Sequence, residues 1–127
     1  MLSQQSKYAL RAVQFLSKVE GGAFLRVEEI AGATQLPAPY LAKVLKMLVQ
    51  ENLLLSRRGK NGGVSLVRGR PPLTFIEVCR AVDDPIVKSE CVLHKRACSA
   101  RKPCAFHDKW AATKKKLLDY LEEEEVS

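Results

Sequence analysis

The sequence predicts a mainly α-helical chain with one small β-hairpin and a long helix toward its C-terminal end. Three patterns carry this expectation. Apolar residues recur at helical spacing through "LPAPYLAKVLKMLVQENLL", two short strand-like runs flank Asn61-Gly62, and a narrow apolar stripe runs from about Cys104 to Leu121.

Ser6 is placed to cap a first helix reaching to about Val19, with Tyr8, Ala12, Phe15, Leu16 and Val19 on one face. Gly21-Gly22 then breaks the chain. "RVEEIAGATQL" reads as a short second helix with Glu28 and Glu29 in its first turn, where carboxylates suit the helix dipole. Arg26 stands where Ser or Thr would be expected as a cap. In the next segment Pro39 is expected at the first helical position, where its missing N–H costs nothing. Leu41, Val44, Leu45, Leu48 and Val49 make a buried face, and Pro39, Lys43, Lys46 and Gln50 project together on the opposite one.

"LLLSRRGKNGGVSLVRG" reads as a hairpin joined through Asn61-Gly62, with Arg57, Arg58 and Lys60 at its tip and Arg68 beyond it. Two short helices, a turn, a basic stripe on the second helix and a hairpin directly after it make a winged helix-turn-helix. A phosphate cradle is excluded for "GKNGG", which has no helix behind it and no Walker spacing.

Charge agrees with a nucleic-acid partner. Residues 1–70 hold eleven Lys/Arg against four Glu, a net of +7, while residues 71–127 balance at ten of each sign. The whole excess lies on the winged-helix half. Charge alone would equally serve solubility, so the pattern of elements decides. No apolar run approaches the roughly eighteen residues of a membrane span. "MLSQQSKYALRAV" lacks the basic-then-apolar order of a signal peptide, which leads to the expectation of a cytoplasmic protein with reduced thiols.

In the second half, "LTFIEVCRAV" reads as a helix with Phe75, Ile76, Cys79 and Val82 inward, Cys79 being a buried structural thiol. The long final helix carries Phe106, Trp110, Thr113, Leu117, Tyr120 and Leu121 on one stripe. With no partner helix of comparable length in the chain, it is expected to pair with a second copy. The closing "EEEEV" is expected to fray as a solvated acidic tail, because four carboxylates sit at the negative end of a helix dipole. The divisions expected are 1–72, a DNA-binding winged helix; 73–103, a connecting helix and cysteine-rich loop; and 104–127, a dimerisation helix with acidic tail.

The loop "ECVLHKRACSARKPCAFHDKW" concentrates soft ligands among cations. Six residues separate Cys91 from Cys98, five separate Cys98 from Cys104, and two separate Cys104 from His107. Lys95, Arg96, Arg101 and Lys102 favour deprotonated sulfur and offset a cluster's negative charge. The wide gaps favour an iron–sulfur cluster over zinc, whose sites usually contain C-x2-C pairs; a thiol-only switch and no metal at all stay open. His107 lies one helical turn after Cys104 and is the candidate fourth ligand, with His94 a weaker one; the alternative is a small exogenous thiol or water. Three thiolates and an imidazole favour 2Fe–2S, with 4Fe–4S as the other choice.

"LPAPYLAKVLKMLVQENLLLSRRGKNGGVSL", "LTFIEVCRAVDD" and the cysteine loop together resemble the bacterial winged-helix transcription regulators of the IscR/NsrR family, over about residues 1–120. The resemblance implies a homodimer that binds double-stranded DNA at an inverted repeat. It implies DNA contact through Pro39, Tyr40, Lys43 and Lys46 on the helix and Arg57, Arg58 and Lys60 on the wing. It further implies an iron–sulfur cluster held by Cys91, Cys98 and Cys104, with His107 matching an IscR-like C-x2-H ending. Some relatives use a carboxylate near the N-terminus instead, but no Asp or Glu precedes Glu20 here. Two departures stand out: Val64 replaces the aromatic often found after the wing glycines, and the first cysteine gap is six where five is common. The function expected is a repressor sensing redox state, iron, cluster supply or nitric oxide. A small iron–sulfur electron carrier and a zinc-stapled regulator without sensing chemistry are the competing readings, and no catalytic constellation supports an enzyme.

Overall fold

The computed structural model describes residues 2–88 and 105–127. Its elements are α1 (Gln4–Ser17), α2 (Val27–Thr34), α3 (Ala38–Gln50), β1 (Leu54–Arg57), β2 (Gly63–Leu66), α4 (Phe75–Ala81) and α5 (His107–Glu123). The fold is the mainly helical winged helix-turn-helix that the periodicity predicts, with a long helix after it.

α1 is capped by Ser3, whose Oγ accepts from Ser6 N at 3.1 Å, and not by Ser6. Ser6 lies inside the helix, fully buried, because its hydroxyl donates to Asp84 Oδ2 at 2.5 Å. A 3-10 turn at Glu20–Gly22 follows, with Gly21 at φ 71° and Gly22 at φ 65°, a region open to glycine without steric cost. α3 starts at Ala38 with Pro37 as its cap, so Pro39 is its second residue and not its first; both prolines still lie where helical N–H groups have no partner. Its inward face is Leu41, Val44, Leu45 and Leu48, each at most 2% exposed. Removing one of these, as in Leu45→Ala, costs about 2–5 kcal/mol.

β1 and β2 pair antiparallel in the register Leu54↔Leu66 through Arg57↔Gly63. The strands are joined by a five-residue loop, 58–62, and not by a two-residue turn at Asn61-Gly62. Positive φ falls on Gly59 and Gly63. Leu25 adds a third rung: its N–H donates to Val64 O at 2.9 Å and Val64 N–H donates to Leu25 O at 2.8 Å. That approach is so close that a Cβ at Gly63 would stand 2.1 Å from Leu25 O. Val64 itself is 8% exposed and joins the core, so an aliphatic side chain fills the position.

α4 is capped by Thr74 and buries Ile76, Val78, Cys79 and Ala81, while Phe75 is only half-buried. Burial pushes the Cys79 thiol pKa up, as an inert structural thiol requires. The terminal acidic segment does not fray. Phe75 N–H donates to Glu124 O at 2.9 Å, Val126 N–H donates to Leu73 O at 2.7 Å, and Val126 is 4% exposed in the same core as α1. Two backbone bonds and a buried valine outweigh the repulsion of the glutamates, whose side chains stay in solvent. The C-terminal end of α5 therefore packs on its own chain, with Leu121 at 1% exposure and Tyr120 edge-on to Phe75 at 6.1 Å. Phe106 and Tyr120 nonetheless remain 59% and 49% exposed.

Candidate nucleic-acid interface and cysteine loop

The outward face of α3 presents Pro39, Tyr40, Lys43, Lys46 and Gln50, all exposed. Tyr40 stands edge-on to Tyr8 at 6.3 Å, and Gln4 Nε2 donates to the Tyr8 hydroxyl at 2.8 Å, which braces the start of α3 against α1. The hairpin follows α3 after a short turn. It carries Arg57 at the end of β1 and Arg58 and Lys60 in the loop, again exposed.

The cations divide by occupation. Arg11 donates to Thr34 O at 2.6 Å, Arg68 to Val19 O at 2.6 Å, and Arg70 pairs with Glu77 at 2.5 Å. Arg26 Nη2 donates to Gly59 O at 2.9 Å and to Lys60 O at 3.0 Å. These four arginines are engaged within the chain, each bonded to a group at least seven residues away. Among the described residues Lys43, Lys46, Arg58 and Lys60 make no side-chain bond, so their charge is available to a ligand. Arg57 is intermediate: it is exposed, and its guanidinium carbon lies 4.1 Å from the centroid of the Phe24 ring, a cation–π contact that uses none of its N–H donors. A helix face of free amino groups beside a free basic loop is suited to a groove with phosphates along its rim.

The sequence and the fold are matched by known proteins. The family model described as "Rrf2: Iron-dependent Transcriptional regulator" matches residues 2–127. The chain belongs to the Rrf2 family. An HTH-type transcriptional regulator of Aquifex aeolicus is 31% identical over 123 residues, 95% of this chain and 85% of that protein. Among solved structures, CymR, the global cysteine regulator of B. subtilis, superposes with a TM-score of 0.77 at 23% identity, covering 99% of this chain and 92% of that one. The IscR of T. potens gives 0.75 at 20%, covering 99% and 82%. Both share the fold. As an Rrf2 protein the chain is a DNA-binding transcriptional regulator and not an enzyme. No helix among the described residues is long and apolar enough to cross a membrane.

Of the expected ligands, Cys91, His94, Cys98 and Cys104 lie outside the described residues. His107 is the first residue of α5 and is half-buried. The two flanks of the cysteine loop are close along that helix. Lys114 Nζ donates to Lys88 O, so the chain enters the loop beside the second turn of α5 and leaves it at the helix start.

Sequence reasoning missed two features. One is the Arg26 bond to the hairpin loop, whose only signal was an arginine in a cap position. The other is Asp84, 1% exposed, which accepts from Ser6 Oγ, from Ile86 N at 2.8 Å and from Ser3 N at 2.9 Å. Burial alone would raise the Asp84 carboxyl pKa, but the bonds from Ser6, Ile86 and Ser3 prevail and hold it below its ordinary value.

Proposed function

We propose that this Rrf2 protein is a cytoplasmic, homodimeric repressor that reads an inverted repeat in double-stranded DNA. In this reading Cys91, Cys98, Cys104 and His107 hold an iron–sulfur cluster, 2Fe–2S by preference. The observation that carries the DNA part is the run of unengaged cations from Lys43 and Lys46 on α3 to Arg58 and Lys60 on the adjacent loop. Lys43, near the start of α3, faces base edges; Lys46, Arg57, Arg58 and Lys60 meet phosphates, with Pro39 and Tyr40 packing at the groove mouth.

Dimerisation is supported by the row of Phe106, Trp110, Leu117 and Tyr120 along α5, partly or largely exposed in the single chain. Two recognition helices related by a twofold axis would select half-sites separated by whole turns of DNA. The proposed divisions are residues 1–72 for DNA, 73–103 for the connecting helix and loop, and 104–127 for pairing.

The donor set fits a cluster: three thiolates, an imidazole at the start of α5, and a family described as iron-dependent. When bound, such a cluster supplies a change of charge and ligation that oxidants, nitric oxide or iron shortage can bring about. The chain's own part is positional. Lys114 fastens one flank of the loop to α5 and His107 stands at the other, so a change in the loop bears on the helix that sets the spacing of the two wings.

The test of the DNA reading is binding across a salt series by wild type, Lys43→Ala, Arg58→Ala and Lys60→Ala. Loss of Arg58 or Lys60 should weaken all duplexes and lower the salt slope by about one per phosphate contact, whereas Lys43→Ala should change base preference. Binding indifferent to all three removes the interface. Visible absorption with iron and sulfide assay, on protein purified without air, tests the cluster.

A further inference from the structure

Phe24, Leu25 and Arg26, the residues entering α2, all touch the wing. Phe24 lies under the Arg57 guanidinium at 4.1 Å, Leu25 pairs with Val64 across the sheet, and Arg26 reaches past the strands to the loop. Arg26 is poorly suited to its local place. A cap residue normally accepts hydrogen bonds from the first helical amides, and arginine has no acceptor. The only cap bond of that kind runs the other way, from Arg26 N to Glu29 Oε1 at 3.1 Å. The side chain is instead committed to two carbonyls more than thirty residues away, Gly59 O at 2.9 Å and Lys60 O at 3.0 Å. Where a local rule is broken and a distant contact is made, the distant contact is the reason to examine.

The loop it grips has little else to hold it. Residues 58–61 are exposed, Gly59 has φ 97° with nothing within 4 Å of where a Cβ would stand, and one internal backbone bond closes it, Gly62 N to Gly59 O at 3.0 Å. Left alone, such a loop would lose conformational freedom on meeting DNA, and that loss would subtract from affinity. A guanidinium bonded to successive carbonyls removes it beforehand, through charge-assisted bonds. We propose that Arg26 is a positioning residue for DNA binding: its bonds to Gly59 and Lys60 fix the wing tip relative to α3, so that Arg58 and Lys60 meet phosphates in a preset arrangement. This rests on the wing reading above, and the experiment separates the two.

Affinity for a short labelled duplex, selected from a random pool against wild type, is measured by anisotropy across a salt series. The proteins are wild type, Arg26→Ala, Arg58→Ala/Lys60→Ala and the triple variant. Amide hydrogen exchange over residues 58–62 is followed in the free proteins. Arg26→Ala should weaken binding about fivefold with an unchanged salt slope, and cost nothing further once Arg58 and Lys60 are gone, because it acts only through them. Exchange should quicken at Gly62 and its loop neighbours while the helices keep their protection. An equal loss in both backgrounds with a slope lowered by about one would make Arg26 a phosphate contact in its own right and overturn the proposal. Unchanged affinity and exchange would overturn it as well, as would quickened exchange throughout the chain. If wild type selects no duplex, the wing reading falls and the DNA role of Arg26 with it, while loop exchange still reports whether the grip exists.

Discussion

Replacing Asp84 with alanine should unfold this protein more readily than any surface change. Its carboxylate, 1% exposed, holds together three points of the chain: the cap of α1 through Ser3 N, the first turn of α1 through Ser6 Oγ, and the turn after α4 through Ile86 N. Alanine would leave a buried hydroxyl and two amides without their acceptor. Hydrogen bonds to a charged group are each worth about 1.5–3 kcal/mol net, and they are not additive. Allowing for some rehydration, a loss of about 3–5 kcal/mol is expected, comparable to removing one member of a buried ion pair. At this chain length that is roughly 10 to 20 °C in Tm. Asp84→Asn keeps one acceptor oxygen but turns an NH2 toward the donors, so it should fall between. Acid adds a second signature. The folded carboxyl binds its proton less readily than its ordinary value of 3.8 implies, so the native state holds fewer protons than the unfolded one. The stabilisation is complete above that value and disappears as pH falls through the lower, folded one; it is absent from Asp84→Asn altogether. Urea unfolding followed by circular dichroism, at neutral pH and in a series descending below about pH 4, measures both effects. Equal midpoints for wild type and Asp84→Ala at neutral pH would refute the reasoning, and a wild type–Asn gap that does not narrow in acid would refute the ionisation argument.

Gly63→Ala should cost about 2–3 kcal/mol and loosen the wing, since its φ of 135° disfavours a side chain and the new Cβ would meet Leu25 O at 2.1 Å; a thermal melt with exchange at Leu25 and Val64 checks it. Leu117→Asp places a charge in the exposed stripe of α5 and should yield monomers with little loss of helix content, as sedimentation would reveal; an unchanged dimer, or a monomeric wild type, would argue against pairing through α5. His107→Ala and His107→Cys should alter the visible spectrum and reduction potential of the iron-loaded protein in opposite senses of ligand softness. Identical spectra and potentials in all three proteins would remove His107 from the ligand set.

The parts of the fold that could be read in advance are those set by neighbours in sequence. The inward face of α3 follows from its period, and the basic face opposite it follows with no further information. α1 shows the limit. Ser3 and Ser6 are both capping residues three apart, and local pattern cannot choose between them. The choice is made by Asp84, which takes the Ser6 hydroxyl into the interior. The hairpin was legible as two strands but not as to its turn, because Leu25 approaches β2 so closely that the positive φ is needed at Gly63. The four glutamates misled for a similar reason: dipole repulsion is a local argument, and the bonds to Leu73 and Phe75 that override it come from some fifty residues earlier. In the candidate interface, residue types showed where positive charge lies. Which cations are free and which are tethered depended on backbone carbonyls that no side-chain pattern reveals.

The pairing of Leu73 and Phe75 with residues 124–126 also sets a timetable. α1, α2, α3 and the hairpin find one another within residues 4–66, so that half can begin to close while the chain is still being made. Leu73 O and Phe75 N must wait for partners synthesised about fifty residues later, roughly three to ten seconds at ordinary elongation rates. During that interval Val126 has not filled its place against α1, and α5 has no anchored end. The helix-turn-helix and its hairpin therefore come into being ahead of the second half, and residues 124–126 complete the connection between them.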